Sequence, residues 1–158
     1  MIVLPLTRGQ SVLIDDEDAE LVMRHRWWSV YDKKTCCYRA MGQINGRKIF
    51  LSRFLLGAPE GMLVDHINGN TLDDRRSNLR LCTGSQNQMN RQKPTRRNPQ
   101  SRFKGVNCAR NGWKAGIRVN GRTIYLGQFK SEIDAALAYN AGALKYHGEF
   151  ACLNQIQE

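Results

Sequence analysis

The residues in this chain that are best suited to chemistry lie in one stretch, VDHINGNTLDDRRSNLRLCTGSQNQMNR, from Val64 to Arg91. Cleaving a phosphodiester requires an activated water and neutralisation of the charge on the phosphate and the leaving oxygen. Histidine suits the first task, because its unperturbed pKa lies near neutrality. Mg²⁺ suits the second, and because it keeps several waters, one carboxylate and one amide oxygen are a sufficient protein share of its ligands. The stretch supplies these groups as Asp65, His66, Asn78 and Asn87.

A strand, a loop, a second strand and a helix are predicted to position these four side chains. Neighbouring residues of a strand point to opposite sides, so Asp65 can face a metal while His66 faces the attacking water. A helix across the hairpin can bring Asn87 to Asp65, and the Asn78 amide can tie the loop together and hold the imidazole in one tautomer. From the residues alone, a purely structural Asp–His pair remains the alternative. The predicted elements are strands at Met62–Val64 and Leu79–Leu81, and a helix from Thr83 or Ser85 to about Arg91.

The flanking regions predict an α+β protein in four parts. Residues 1–60 form a strand-rich segment, 61–91 the motif segment, 92–101 a basic linker (with RQKPTRRNPQS spanning it), and 102–158 a small module of three antiparallel strands and one helix. In the first part we expect strands at 2–6, 11–14, 26–31, 36–41 and 47–51, an Asn45-Gly46 turn, and a helix at 15–24 capped by Asp15.

The C-terminal module is predicted in more detail from its turn and capping residues. Strands are expected at 103–109, 113–120 and 122–127, joined at Asn111-Gly112 and Asn120-Gly121. A helix should run from Ser131 to His147 and end at Gly148. Its helical spacing predicts the residues that pack on the sheet, which are Ile133, Ala136, Leu137, Ala141 and Leu144.

Charge and composition indicate an anionic partner. The chain has 158 residues and a formal net charge of +10, and between Arg75 and Ser131 it has 14 Lys and Arg with no acidic residue. Such a run with interleaved aromatic residues is typical of nucleic-acid binding. Five cysteines without a CxxC spacing favour a reducing compartment. No membrane span or signal peptide is recognisable, so a cytoplasmic location is expected, in a bacterial host if the chain is phage-encoded.

The motif segment resembles the HNH nucleases, which have the ββα-metal fold, in the variant whose last ligand is asparagine. The resemblance rests on the Asp-His pair, the Asn-Gly-Asn turn, the DxRxxNLR run, and spacings of twelve from His66 to Asn78 and nine from Asn78 to Asn87. It implies that Asp65 and Asn87 bind Mg²⁺ or Mn²⁺, that His66 is the general base, and that Asn78 positions the loop and His66. Hydrolysis would leave 5′-phosphate and 3′-hydroxyl ends.

Two features of this chain bear on that resemblance. Many relatives carry His-Arg before the motif, where this chain has Ser52-Arg53. The role of that histidine would be unfilled, while Arg53 would remain available to hold the scissile phosphate. The zinc-stabilised members carry cysteine pairs, which this chain lacks, so structural zinc is not expected.

Residues 103–154 resemble the plant ethylene-response-factor DNA-binding domain, of the APETALA type, through FKGV, YLGQF and the AALAYN-to-LN blocks. The resemblance implies that the sheet lies in the DNA major groove. Asn107, Ala109 and Gly116 depart from the plant pattern, so the plant recognition sequence should not be transferred. The DNA-contact candidates of the whole chain are Arg53, Arg91, Lys104, Arg110, Trp113, Lys114, Arg118, Arg122 and Tyr125.

Together these patterns predict a homing-type, metal-dependent DNA endonuclease of a phage or mobile element. Its partner would be double-stranded DNA and not a membrane; a monomer is expected, with a dimer possible. Two alternatives stay open: a sequence-specific DNA-binding regulator with an inactive nuclease site, and an RNA-binding protein whose sheet stacks single-stranded bases.

Overall fold

A computed structural model describes residues 1–33, 35–92 and 101–156 of the chain. The described residues divide into two compact units, Met1–Asn87 and Gln88–Glu158. Most of the basic linker expected at 92–101 lies outside the described residues. Each unit is described by itself below.

The described residues of the first unit contain three small antiparallel sheets, two short helices and the beginning of a third, which crosses the boundary between the units. Strand β1 pairs with β2, β3 with β4 and β4 with β5, and β6 pairs with β7. The elements are β1 (Ile2–Pro5), β2 (Ser11–Ile14), α1 (Ala19–Met23), β3 (Trp27–Asp32), β4 (Cys37–Ile44), β5 (Arg47–Phe50), α2 (Leu51–Leu56), β6 (Leu63–His66), β7 (Leu79–Cys82) and α3 (Gly84–Asn90).

One core joins the N-terminal segment to the motif segment. Val12 and Ile14 of β2 and Leu51 and Leu55 of α2 are buried together with Leu79 of β7. Helix α2 was not among the predicted elements; it begins directly after β5 and ends at Gly57, which adopts a left-handed conformation (φ 54°). Because the strand-rich segment supplies most of this core, it provides the hydrophobic support that the short strands β6 and β7 lack by themselves.

The helix expected at 15–24 is shorter and begins differently. A 3₁₀ turn at Asp16–Asp18 precedes α1, and Asp15 makes no side-chain capping bond. Instead, Asp15 Oδ2 accepts a hydrogen bond from the backbone N–H of Arg76 at 2.7 Å. The capping prediction was therefore wrong, because a residue 61 positions away competes for the carboxylate.

The motif segment has the predicted order of strand, strand and helix. The register of β6 on β7 places Asp65 opposite Arg80 and His66 opposite Leu79. Helix α3 starts after Thr83, whose hydroxyl accepts from the Gln86 N–H, while Gln86 Oε1 accepts from the Thr83 N–H at 2.8 Å. This reciprocal capping fixes the point at which the chain leaves β7 and enters the helix.

The second unit is a three-stranded antiparallel sheet with one helix packed on it. The strands are β8 (Val106–Ala109), β9 (Gly112–Val119) and β10 (Arg122–Phe129), with β9 in the centre, and the helix is α4 (Glu132–His147). Ser131 caps α4 by accepting from the Ile133 and Asp134 N–H groups. The second hairpin turn is Asn120-Gly121 as predicted, but the first comprises Arg110 and Asn111, because Gly112 already pairs with Ala109.

The predicted packing face of α4 was wrong except for Ala136. Residues Ile133, Leu137, Ala141 and Leu144 point to solvent, and Leu137 is 52% exposed. Small residues line the buried side instead, so the helix lies close to the sheet. At Gly142 an added Cβ would meet Leu126 at 2.8 Å, which leaves no space for a leucine between helix and sheet. The buried residues of α4 are Ala135, Ala136, Tyr139, Gly142, Ala143 and His147.

Neighbouring substitutions on α4 test this packing. We expect Ala136→Leu to lower the free energy of unfolding of the second unit by about 1–3 kcal/mol, because the core there has no room for added methylenes. Leu137→Gln should change it by less than ~0.5 kcal/mol, since it alters only an exposed position. Native-state hydrogen exchange of the α4 amides measures both. Equal effects of the two substitutions would contradict the close helix–sheet packing.

Candidate active site

The loop between β6 and β7 is held together by the side chain of Asn78. Its amide nitrogen donates to the carbonyl of Asp73 at 2.8 Å, and its Oδ1 accepts from the N–H of Asn68 at 2.9 Å. Asn78 is buried, so each of these bonds satisfies a polar atom that water does not reach. This is the loop-positioning role that the sequence predicts for Asn78.

The N-terminal segment fixes the same loop from outside. The N–H of Leu13 in β2 donates to the carbonyl of Leu72, and the N–H of Asp74 donates to the carbonyl of Leu13, both at 2.9 Å. The Thr71 hydroxyl donates to the carbonyl of Tyr38 in β4 at 2.6 Å. The loop is thereby attached to two sheets, and the backbone of Asp74 has a fixed position.

His66 ends β6 and its ring is bound by Asp74. The distance from His66 Nε2 to Asp74 Oδ1 is 2.7 Å, and the two residues are 9% and 2% exposed. Burial raises the pKa of Asp74, while the hydrogen bond and charge of His66 act in the opposite direction. The sequence predicts that Asn78 holds the imidazole, whereas in the structure the carboxylate of Asp74 contacts it. In the sequence, this partner was visible only as the second aspartate of Asp73-Asp74.

Asp65 lies on the neighbouring position of β6 and is paired with Arg80. Arg80 donates to Asp65 Oδ2 from Nε at 2.9 Å and from Nη2 at 2.7 Å. Both side chains are largely buried. The sheet register produces this pair, because Arg80 is the residue of β7 directly opposite Asp65.

Two further buried aspartates of the first unit also have arginine partners. Asp73 is bound by Arg75 Nε and Nη2, both at 2.7 Å, which lowers the pKa of Asp73. Asp18 is bound by Arg76, and the hydrogen bond raises the pKa of the Arg76 guanidinium. Asp15, Glu17 and Asp18 form an acidic group whose ligand atoms lie within 4.8 Å of one another. Arg76 contacts all three residues, which accounts for that group without a metal.

A divalent cation fits the chemistry of the predicted donor set. Asp65 offers a carboxylate and Asn87 an amide oxygen, both hard oxygen ligands of the kind that Mg²⁺ and Mn²⁺ accept. Asn87 is half-buried in α3, and its backbone N–H donates to the carbonyl of Thr83 at 3.0 Å. The guanidinium of Arg80 already supplies one positive charge to the Asp65 carboxylate. The metal-binding roles of Asp65 and Asn87 remain predictions.

Arg53, predicted to hold the scissile phosphate, has a structural function. Its guanidinium donates to the carbonyl of Met62 from Nη1 and to the carbonyls of Ala58 and Pro59 from Nη2, the latter two at 3.0 Å. These bonds close the turn between α2 and β6. Contact of Arg53 with DNA stays a prediction. It would require the guanidinium to bind a phosphate in addition to these carbonyls or in place of them.

The outer face of the sheet in the second unit presents several of the predicted DNA contacts. Lys114 and Arg118 are exposed, while Ala115 and Ile117 are buried on the α4 side. Tyr125 pairs with Gly116 and is 62% exposed, so its ring lies on the same open face as the two cations. We call Lys114, Arg118 and Tyr125 the open face of the sheet. Arg110, in the turn between β8 and β9, is also exposed.

The remaining candidates lie elsewhere. Arg122 pairs with Val119 and therefore belongs to the α4 side, at its edge. Trp113 is half-buried against the core, as its alternation predicts. Lys104 Nζ donates to the carbonyls of Met89 and Arg91 at 2.6 and 2.7 Å, and burial lowers its pKa. The side chain of Arg91 is exposed.

Comparison with known proteins shows what the motif segment and the chain as a whole are similar to. Residues 56–89 match a family model described as HNH endonuclease. A protein of Acanthamoeba polyphaga mimivirus, described as an uncharacterized HNH endonuclease, is 29% identical over 151 residues, covering 94% of this chain and 77% of the relative. No solved structure matches the chain. The family match and the relative together support assignment of the chain as a nuclease.

None of the helices in the described part of the chain has the length and apolar character that a membrane crossing requires.

The Asp65–Arg80 pair allows the predicted metal site to be tested without measuring cleavage. Arg80→Gln leaves a buried carboxylate without its cation, so we expect the free energy of unfolding to fall by about 3–5 kcal/mol. If Asp65 is a metal ligand, excess Mg²⁺ replaces the lost positive charge and raises the Tm of the variant more than that of the original protein. Thermal unfolding with and without Mg²⁺ measures this difference.

Arg75→Gln is the matched control, because it uncovers the buried Asp73 away from the predicted ligands. Its Tm should fall without an added response to Mg²⁺. The same Mg²⁺ response in both variants, or in neither, would remove Asp65 from the set of metal ligands.

Proposed function

We propose, from the premise that residues 56–89 carry an HNH endonuclease segment, that this protein is a metal-dependent DNA endonuclease of the homing type with a ββα-metal site. The observation that supports this most strongly is that Asp65 and His66 are neighbours at the end of β6. Both are buried, and each is held by a charged partner, beside a loop that Asn78 fixes. The proposal assigns one of these side chains to the attacking water and the other to a metal ion, which are the two tasks of phosphodiester hydrolysis.

In this proposal His66 acts on the attacking water. The imidazole takes a proton from the water, whose oxygen then attacks the phosphorus, and the bond to the 3′ oxygen breaks. The leaving oxygen takes up a proton from solvent, so that 5′-phosphate and 3′-hydroxyl ends result. Asn78 holds the loop beside His66, whose position next to Asp65 is set by β6.

Asp65 and Asn87 would hold the metal ion through their oxygen atoms. HNH nucleases generally depend on a divalent metal, and Mg²⁺ is favoured here over Mn²⁺. When bound, the ion neutralises charge on the phosphate and on the leaving oxygen. The contribution of the chain is a buried carboxylate whose direction is set by β6 and by Arg80.

The second unit would anchor double-stranded DNA through the open face of its sheet. An exposed aromatic ring beside two cations on a three-stranded sheet fits the resemblance to ethylene-response-factor domains, in which the sheet enters the major groove. The absence of acidic residues between Arg75 and Ser131 favours binding of a polyanion. An anchored second unit would raise the effective concentration of the nuclease segment near the bound site.

Plasmid cleavage tests the nuclease proposal directly. The protein with Mg²⁺ should convert supercoiled DNA to nicked or linear forms, and EDTA should abolish the reaction. His66→Ala should lower the cleavage rate by roughly 10²–10⁴-fold, which is the usual contribution of a general base. Its affinity for DNA, measured by fluorescence anisotropy in Ca²⁺ or EDTA, should be nearly unchanged. A variant that cuts as fast as the original protein would show that His66 is not the base.

A DNA-binding regulator with an inactive nuclease site is the second candidate. It is favoured by the ion pair between Arg80 and Asp65, because a guanidinium on the carboxylate competes with a metal ion. DNA binding without cleavage in either Mg²⁺ or Mn²⁺ would support this candidate, whereas EDTA-sensitive cleavage that His66→Ala lacks would exclude it.

Salt dependence tests the open face of the sheet. We expect Lys114→Gln and Arg118→Gln each to reduce the slope of log Kobs against log salt concentration by about 1, because each removes one phosphate-neutralising charge. Lys145→Gln is the control, since Lys145 is an exposed cation on α4, which covers the opposite side of the sheet. An unchanged slope in both sheet variants, or an equal change in the control, would place the DNA elsewhere.

A further inference from the structure

The function proposed above gives Asp74 no chemical step, although it is one of the most deeply buried polar residues of the first unit. Its Oδ1 lies 2.7 Å from His66 Nε2, and its backbone N–H is bonded to the carbonyl of Leu13. The carboxylate is therefore fixed from β2 and directed at one particular nitrogen of the imidazole. With so little of either side chain exposed, water cannot readily replace this contact.

We propose that Asp74 is a positioning residue for His66: its carboxylate accepts the hydrogen on Nε2 and thereby sets the tautomer and the orientation of the imidazole. This inference rests on the proposed function, in which His66 is the base. A neutral imidazole carries one hydrogen, and an ionised carboxylate can only accept. The nitrogen that faces Asp74 must then carry the hydrogen, so the other nitrogen has the lone pair.

The adjacent carboxylates of Asp73 and Asp74 have different contacts. Asp73 is engaged by Arg75 on both oxygens and also accepts from Asn68 Nδ2 at 2.9 Å, so it stabilises the loop. Asp74 faces His66; burial raises the pKa of Asp74 and the charge of Asp73 acts in the same direction, while the hydrogen bond and charge of His66 and the charge of Arg39 favour its ionised form. If Asp74 carried the proton instead, it would donate to Nε2 and Nδ1 would be protonated, which is the other tautomer of the ring.

Asn78, which the sequence predicts to hold the imidazole, uses its amide to bind the backbone of Asp73 and Asn68. We therefore assign the tautomer of His66 to its contact with Asp74. In serine proteases, an aspartate binds the catalytic histidine in a comparable way. Its replacement by asparagine leaves the geometry intact but produces the wrong tautomer of that histidine. The same logic makes Asp74→Asn the informative substitution, because asparagine is nearly the same size and can either donate or accept.

The tautomer can be measured on the metal-free protein in the absence of DNA. Long-range ¹H–¹⁵N spectra of labelled protein distinguish protonated from unprotonated ring nitrogens, and His25 and His147 serve as internal references. We expect neutral His66 to carry its hydrogen on Nε2, and Asp74→Asn to convert this to a mixture of tautomers or to the Nδ1–H form. Cleavage by Asp74→Asn should fall roughly 10²-fold or more, with DNA affinity unchanged.

Asp73→Asn is the matched control at the adjacent buried position. It should lower the Tm through loss of the Arg75 contact while leaving the His66 tautomer as it is. The proposal is overturned if His66 carries its hydrogen on Nδ1 in the original protein, or if Asp74→Asn leaves its tautomer unchanged. The first of these tests needs no variant, so it holds even if Asp74→Asn fails to fold. If instead His66→Ala cuts DNA normally, the proposed function fails while the measured tautomer stands.

Discussion

The candidate site depends on the pairing of buried carboxylates with basic side chains. The described part of the chain buries four aspartates, Asp18, Asp65, Asp73 and Asp74, all in the first unit. An unpaired carboxylate in such a position would be costly, and each of these has a basic partner. The partners are Arg76, Arg80, Arg75 and His66. The arginines of the motif thus neutralise buried carboxylates of the site, and only their remaining charge is available to a ligand.

This pairing explains why a loop of twelve residues, Ile67 to Asn78, has a defined conformation although it contains little regular structure beyond a 3₁₀ turn at Arg76–Asn78. Hydrophobic burial in the loop is slight, and its polar groups are satisfied by Asn78, by β2 and by β4. A network of this kind is rigid when complete and weak when one member is lost. The strand-rich N-terminal segment is therefore part of the site, since it supplies both the shared core and the backbone atoms that hold the loop.

The second unit is built on a different principle. Its helix approaches the sheet closely because alanine and glycine line the contact, and its tail is held by paired amides: Asn154 N–H donates to Asn140 Oδ1, and Asn140 Nδ2 donates to the Asn154 carbonyl. This leaves the other face of the sheet open. The outward alternation of Lys114 and Arg118 follows from strand geometry alone, which is why it was predictable, whereas the face of α4 was not.

The sequence by itself predicted most of the elements and the order of the candidate site residues. Asn-Gly turns, alternation and capping residues are local signals, so the strands, α3 and α4 were predicted within a few positions, and the order of chemical groups from Asp65 to Asn87 is a property of the chain. Local signals also failed in identifiable ways: large apolar residues on α4 suggested the wrong face, because helical spacing does not reveal how close the sheet lies.

Only the tertiary structure decided which side chains become partners. Asp15 bonds to the backbone of Arg76 instead of capping a helix, Arg53 binds three carbonyls, and Asp74 rather than Asn78 contacts His66. These pairings join residues that the chain brings together through the shared core and the register of β6 on β7. Sequence spacing cannot predict them, because the choice among nearby donors and acceptors depends on which polar atoms burial leaves without water.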